Sequence, residues 1–213
     1  MPALLDIWRI DLDRDGERLL AHTGQVGTAE RRRGVAFARP ADRAAYLASH
    51  VGLRMVLALY GPMHGDFHRD GYGKPRLPGA PEFSLSRTRG LAVIAIGDRP
   101  VGIDIEAVRP LRLTEPAIAW MVARRNTSPL EAWTALEAWA KWRGCGMGQL
   151  LERLDTDPES RAAWWASASP LLSRPDIGPP ARFCVSLCSE APRDSLSVRT
   201  LRVDRPARHA HPE

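Results

Sequence analysis

The stretch Val101-Gly-Ile-Asp-Ile-Glu106 constrains this chain more than any other. Val101, Ile103 and Ile105 alternate with Gly102, Asp104 and Glu106, the period-two pattern of a strand with aliphatic residues on one face and carboxylates on the other. Same-face positions on a strand lie roughly 6–7 Å apart, so Asp104 and Glu106 can share a cation and repel each other without one. A second stretch, Trp133 to Lys141, reads as a helix on which Glu137 and Lys141 share a face. A third carboxylate and an ammonium delivered to the same place would suit a hard divalent ion holding a phosphate. Each stretch also has a plainer reading. Carboxylates on a strand usually mark a solvated edge, and a Glu–Lys pair four apart is usually surface decoration.

The rest of the chain supplies an ordinary globular setting. Its 213 residues, 44% hydrophobic and 26% charged, can bury one large core or two smaller ones. No apolar run approaches membrane-spanning length, and the start has neither a basic n-region nor an apolar h-region, which predicts a cytoplasmic protein without membrane contact. Cys145, Cys184 and Cys188 form an odd set without Cys-x-x-Cys spacing, as expected of free thiols. The net charge of +5 favours acidic partners. Of the 30 basic residues only Lys74 and Lys141 are lysines. Against so strong a drift to arginine, a retained lysine points to a place where a compact ammonium is needed.

Taken in order, the chain predicts a strand over Leu4–Leu12, a turn at Asp11–Gly16 and a helix capped by Thr28. A longer helix runs from Pro40 to about Tyr60. Residues 63–81 read as loop, and the glycines there argue against a metal pair at His64 and His68. Strands follow at Glu82–Ser86, Leu91–Gly97 and Val101–Glu106. Helices are expected at Leu113–Arg125 and Pro129–Arg143, then a flexible exit at Gly144–Gly148. Arg182–Leu187 and Ser195–Val203 read as a closing strand pair, and 205–213 as a disordered tail. Phe83-Ser-Leu-Ser86 is faintly echoed by Phe183-Cys-Val-Ser186. The expected class is α+β, in two similar halves, 1–100 and 101–204.

Four segments in order, Gly71-Tyr-Gly-Lys-Pro75, Phe83-Ser-Leu-Ser-Arg-Thr88, Val101 to Glu106 and Trp133-Thr-x-x-Glu-Ala-x-x-Lys141, resemble the 4′-phosphopantetheinyl transferases of the surfactin-synthetase-activating type. The resemblance implies two α+β halves related by a pseudo-twofold axis, usually in a monomer, with coenzyme A and Mg²⁺ (or Mn²⁺) bound between them. It implies transfer of the phosphopantetheine arm to a serine of an acidic acyl or peptidyl carrier protein, releasing 3′,5′-ADP. By the same resemblance Asp104, Glu106 and Glu137 would ligate the metal, and Asp104, Glu137 and Lys141 would carry the chemistry. Lys141 would meet the diphosphate, Lys74, Pro75 and Arg43 the nucleotide side, and Ser86, Arg87 and Thr88 the 3′-phosphate region. Glu137 or a metal-bound water would take the serine proton.

The chain departs from that pattern at three points. Arg87 stands where the family has His, and Leu136 where it has Lys beside the metal site, so Leu136→Lys is expected to raise transfer. The interval from Glu106 to Glu137 is short and lacks the Phe-rich segment that helps grip the carrier. Two other readings stand beside the transferase: a homologue that binds coenzyme A or a carrier without turnover, and a basic nucleic-acid-binding protein. The second lacks any reading motif or aromatic platform.

Overall fold

The computed structural model describes residues 3–203, apart from 64, 72, 112–114 and 179–181. The expected tail, His64, and the Leu113 start of the fourth helix lie outside the described residues. The protein is a mixed α+β structure with several sheets. The chain runs β1 (Leu5–Asp11), α1 (Leu12–Leu20), α2 (Thr28–Val35), α3 (Pro40–Ala58), β2 (His68–Arg69), β3 (Pro75–Arg76), β4 (Glu82–Thr88), β5 (Leu91–Gly97) and β6 (Val101–Ala107). It continues through α4 (Pro116–Arg125), α5 (Pro129–Arg143), α6 (Met147–Thr156), α7 (Pro158–Ala168), β7 (Leu172–Ser173), β8 (Phe183–Ser189) and β9 (Leu196–Leu201).

A four-stranded sheet, ordered β4-β5-β1-β9, lies beside a three-stranded sheet ordered β6-β8-β7. All seven residues of β5, Leu-Ala-Val-Ile-Ala-Ile-Gly, are buried, because the strand is covered on both faces. Ala92, Ile94 and Ile96 join Ile10 and the α3 residues Val51, Leu53, Val56 and Leu57 in one core. Leu91, Val93 and Ala95 turn the other way, meeting Leu5, Ile7, Val101, Ile103 and Ile105 in a second core between the sheets. A third core forms among α4, α5, α6 and α7.

The expected closing strand pair does not form. β8 pairs antiparallel with β6, while β9 crosses back and runs parallel to β1 with Leu5 opposite Leu196. Two segments read as irregular are helical. At Asp11–Gly16 the turn-like Asp-Arg-Asp-Gly letters yield to α1, because Leu12, Asp15, Gly16 and Leu19 fall on one buried face and Asp11 caps the Arg14 amide. Beyond Gly144 the exit is short, and α6 and α7 bury Leu150, Leu154 and Trp164. Gly27, not Thr28, caps α2, its amide donating to Glu30 at 2.8 Å. Helix α5 follows its expected limits. Ser128 and Glu131 form a capping box, Pro129 sits in the first turn, and Gly144 closes the helix in the left-handed region at φ 80°. None of the described helices is long and apolar enough to cross a membrane.

Candidate functional site

Helix α5 lies directly on the carboxylate face of β6, and Gly102 is what lets it come so close. A Cβ at that position would stand 2.1 Å from the Ala138 carbonyl oxygen and 2.3 Å from the Trp142 amide nitrogen. One step along the same face is Asp104, 2% exposed. The Lys141 ammonium, one helical turn beyond Glu137, lies 2.7 Å from Asp104 Oδ1 and 3.3 Å from Glu137 Oε1. Ser86 of β4 completes the group, its Oγ 2.7 Å from Asp104 Oδ1 and 3.1 Å from Lys141 Nζ. Thus strand, helix and the edge of the neighbouring sheet each bring a polar side chain to one point.

The arrangement is lopsided. Asp104 Oδ1 takes two donors, whereas Oδ2 is buried and has no hydrogen-bond partner. A bare buried carboxylate oxygen is costly unless it meets a donor or a cation. Burial raises the Glu137 carboxyl above its ordinary range, and repulsion from Asp104 and Glu106 adds to this, while Lys141 opposes it. Burial alone would lower the Lys141 ammonium. Attraction by Asp104 and Glu137 outweighs it, so the ammonium is held charged. Glu106 sits at the rim, 24% exposed in its side chain and 3.4 Å from Arg109.

Among the described residues no three His, Cys, Asp or Glu side chains form a ready-made metal cage. The donor set nonetheless fits a hard ion. Mg²⁺ is commonly held by one or two carboxylates together with substrate oxygens and water. Asp104 offers a free oxygen beside Glu137, with Glu106 close enough to act on Glu137 electrostatically.

The other expected site residues are not gathered here. Lys74 is 7% exposed, and its ammonium donates to the Val101 carbonyl at 3.0 Å and pairs with Glu82 at 3.3 Å. Its burial lowers its pKa. It therefore pins the start of β6 from below, beside Pro75 of the short strand β3. Arg43 is exposed in the first turn of α3, 3.4 Å from the Val35 and Phe37 carbonyls. Ser86, Arg87 and Thr88 point in two directions, as strand alternation requires. The two hydroxyls face β6, while the Arg87 guanidinium lies over the rings of Phe37 and Tyr46 at 5.4 and 5.3 Å.

Leu136 is a correction. It is fully buried in the third core, with Ile118, Met121 and Leu150. A lysine there would bury an ammonium among apolar side chains, so Leu136→Lys would damage folding and would not raise activity.

Sequence reasoning missed the role of the hydroxyl stripe. Ile103, Ile105 and Ala107 donate their amides to Ser84 Oγ at 3.1 Å, Ser86 Oγ at 3.4 Å and Thr88 Oγ1 at 3.0 Å. β4 and β6 are thereby joined through side chains, between strands that share no sheet. The signal was the alternation in Phe83-Ser-Leu-Ser-Arg-Thr88, apolar or long residues on one face and hydroxyls on the other. Two clefts lie elsewhere: one of about 190 Å³ between β1, β8 and β9, and one of about 580 Å³ beside Gly27, Arg54 and Leu77. Neither is lined by Asp104, Glu137 or Lys141.

No protein-family model matches the chain, and a search of curated proteins gives no match either.

Proposed function

We propose that this protein is a divalent-cation-dependent 4′-phosphopantetheinyl transferase, acting on coenzyme A and a serine of an acidic carrier protein. The observation that carries the reading is the meeting of Asp104, Glu137 and Lys141 on β6 and α5, with Asp104 Oδ2 left bare. Those residues are the ones that the resemblance to the surfactin-synthetase-activating transferases assigns to metal and diphosphate. The same resemblance supports reading the molecule as two halves related by a pseudo-twofold axis, working as a monomer.

Asp104 and Glu137, with Glu106 at the rim, would hold Mg²⁺, which when bound neutralises charge on phosphoryl oxygens. Phosphoryl transfer asks little covalent chemistry of a protein, so the work of the side chains is positioning and charge. The Lys141 ammonium, kept charged by two carboxylates, is placed to meet the diphosphate and to offset charge on the departing nucleotide phosphate. Glu137, whose burial raises its affinity for a proton, is suited in its ionised form to accept the serine proton. The net charge of +5 favours encounter with an acidic carrier.

A second reading rests on Lys74. Its ammonium is committed to Val101 and Glu82, so one of the two lysines expected at the nucleotide is engaged elsewhere, as in a homologue that binds coenzyme A or a carrier protein without transfer. Intact-mass analysis separates the readings. A purified acyl carrier protein incubated with this protein, coenzyme A and Mg²⁺ should gain one phosphopantetheinyl mass, and Asp104→Ala should abolish the gain. Coenzyme A binding with no mass gain on any of several carriers would favour the second reading. Absence of both would sink the transferase assignment.

A further inference from the structure

Ser86 occupies a position that its neighbours define completely. Its Oγ lies 2.7 Å from Asp104 Oδ1, 3.1 Å from Lys141 Nζ and 3.4 Å from the Ile105 amide nitrogen. The ammonium and the amide can only donate. The single hydroxyl proton must therefore go to Asp104, and all of the group's hydrogen-bonding capacity is used. Ser86 is 7% exposed, so water does not compete for it.

The consequence falls on Asp104. A carboxylate turns about its terminal bond with little resistance unless its oxygens are held. Here Ser86 and Lys141 both hold Oδ1, from β4 and from α5, which leaves Oδ2 as the buried, unpartnered oxygen of a carboxylate whose plane is held. Lys141 alone would not fix that plane, since its flexible four-carbon stem also serves Glu137 at 3.3 Å. Ser86 stands on a strand whose register is set on both sides: by pairing to Val93 of β5 and by the hydroxyl contacts to β6.

We propose that Ser86 is a positioning residue, which orients Asp104 so that Oδ2 faces a divalent cation. This rests on the cation-dependent reading of the site given above. It assigns Ser86 a task different from contact with the 3′-phosphate: the hydroxyl acts through Asp104, and its contribution is to cation affinity, not to nucleotide affinity. The reason is geometric. A group that already gives its only proton to a carboxylate and takes two donors has nothing left for a phosphate.

Ser84 supplies the control. It is 5% exposed, stands two residues earlier on the same face, and accepts the Ile103 amide in the same way, but its hydroxyl is not hydrogen-bonded to Asp104, Glu137 or Lys141. Ser84→Ala and Ser86→Ala each lose one buried amide contact between the sheets, and Ser86→Ala also loses its bonds to Asp104 and Lys141, so it should cost more stability while Ser84→Ala reports the cost of the amide contact alone. Mn²⁺ binding, followed in the full chain by the paramagnetic resonance signal of the free ion, reads the difference. Loss of a partner that orients a metal ligand typically weakens affinity about 10–100-fold. That loss is expected for Ser86→Ala but not for Ser84→Ala, and Ser86→Thr, which keeps the hydroxyl on a strand, should recover most of it. Coenzyme A affinity measured without metal should be equal in both alanine variants. Equal Mn²⁺ affinity in the two would overturn the positioning role, as would a selective loss of coenzyme A binding in Ser86→Ala. If the unsubstituted protein bound no Mn²⁺ with or without coenzyme A, the cation-dependent reading itself would fail, and this proposal with it.

Discussion

His50 is held against Tyr46 with ring centroids 4.0 Å apart, and its Nδ1 lies 2.9 Å from the Tyr46 carbonyl oxygen. A carbonyl oxygen can only accept, so the contact places the proton of the neutral ring on Nδ1. Burial is the main force lowering its pKa from 6.5 to about 4, with Arg87, Arg33 and Arg54 adding repulsion. The unfolded chain binds the proton more tightly than the folded one, so the stabilisation is complete above pH 6.5 and lost as pH falls from 6.5 toward 4. The loss amounts to about 3 kcal/mol at the acid end. Urea unfolding at pH 7 and pH 4.5 should show this decline in the unsubstituted protein, and His50→Gln should flatten it. At this scale the sequence was partly legible. Lys141 and Glu137 could be paired by spacing alone, but Lys74 could not be seen as internal. Its partners, Glu82 and the Val101 carbonyl, are brought to it only by the packing of the β2–β3 loop against β6.

The elements were most legible where local chemistry and burial agree. Helix α5 announced both ends through Ser128-Pro129 and Gly144, and β5 and β6 through their aliphatic residues. Helices α1 and α7 were missed for different reasons. In α1, Asp-Arg-Asp-Gly carries turn propensity, and only the tertiary burial of Leu12, Asp15 and Leu19 overrides it. For α7 a local signal existed, since Asp157-Pro158 repeats the cap logic of Ser128-Pro129, with Asp157 accepting the Glu159 and Ser160 amides. Gly102 shows how an element contact sets the site. Its backbone needs no unusual conformation, yet any side chain there meets the α5 backbone. Gly102→Ala should cost on the order of 1–3 kcal/mol in chemical denaturation, since a well-packed helix must move outward. The same shift carries Glu137 and Lys141 away from Asp104, so Mn²⁺ affinity should fall along with stability.

For the whole molecule, a boundary near residue 100 follows the sequence but not the cores. Leu5, Ile7, Leu91, Val93 and Ala95 from before it share one core with Val101, Ile103, Ile105, Val185 and Leu187 from after it. A chain of residues 1–100 should therefore fail to fold cooperatively, which circular dichroism during urea titration would show as a sloping, midpoint-free loss of signal. The sequence could not disclose this, because two apolar faces of one strand look alike until their partners are known. Nor could it show β9 returning to β1, since a parallel pairing between the two ends of the chain leaves no local mark. That return has a consequence during synthesis. β1 leaves the ribosome well ahead of β9, and the strand that closes its far edge follows only after roughly 10–40 s at ordinary elongation rates. Throughout that interval the nascent chain carries an open row of amides and carbonyls flanked by Leu5 and Ile7, the surface to which chaperones and stray strands bind. Among the described strands, the one made last seals the one made first.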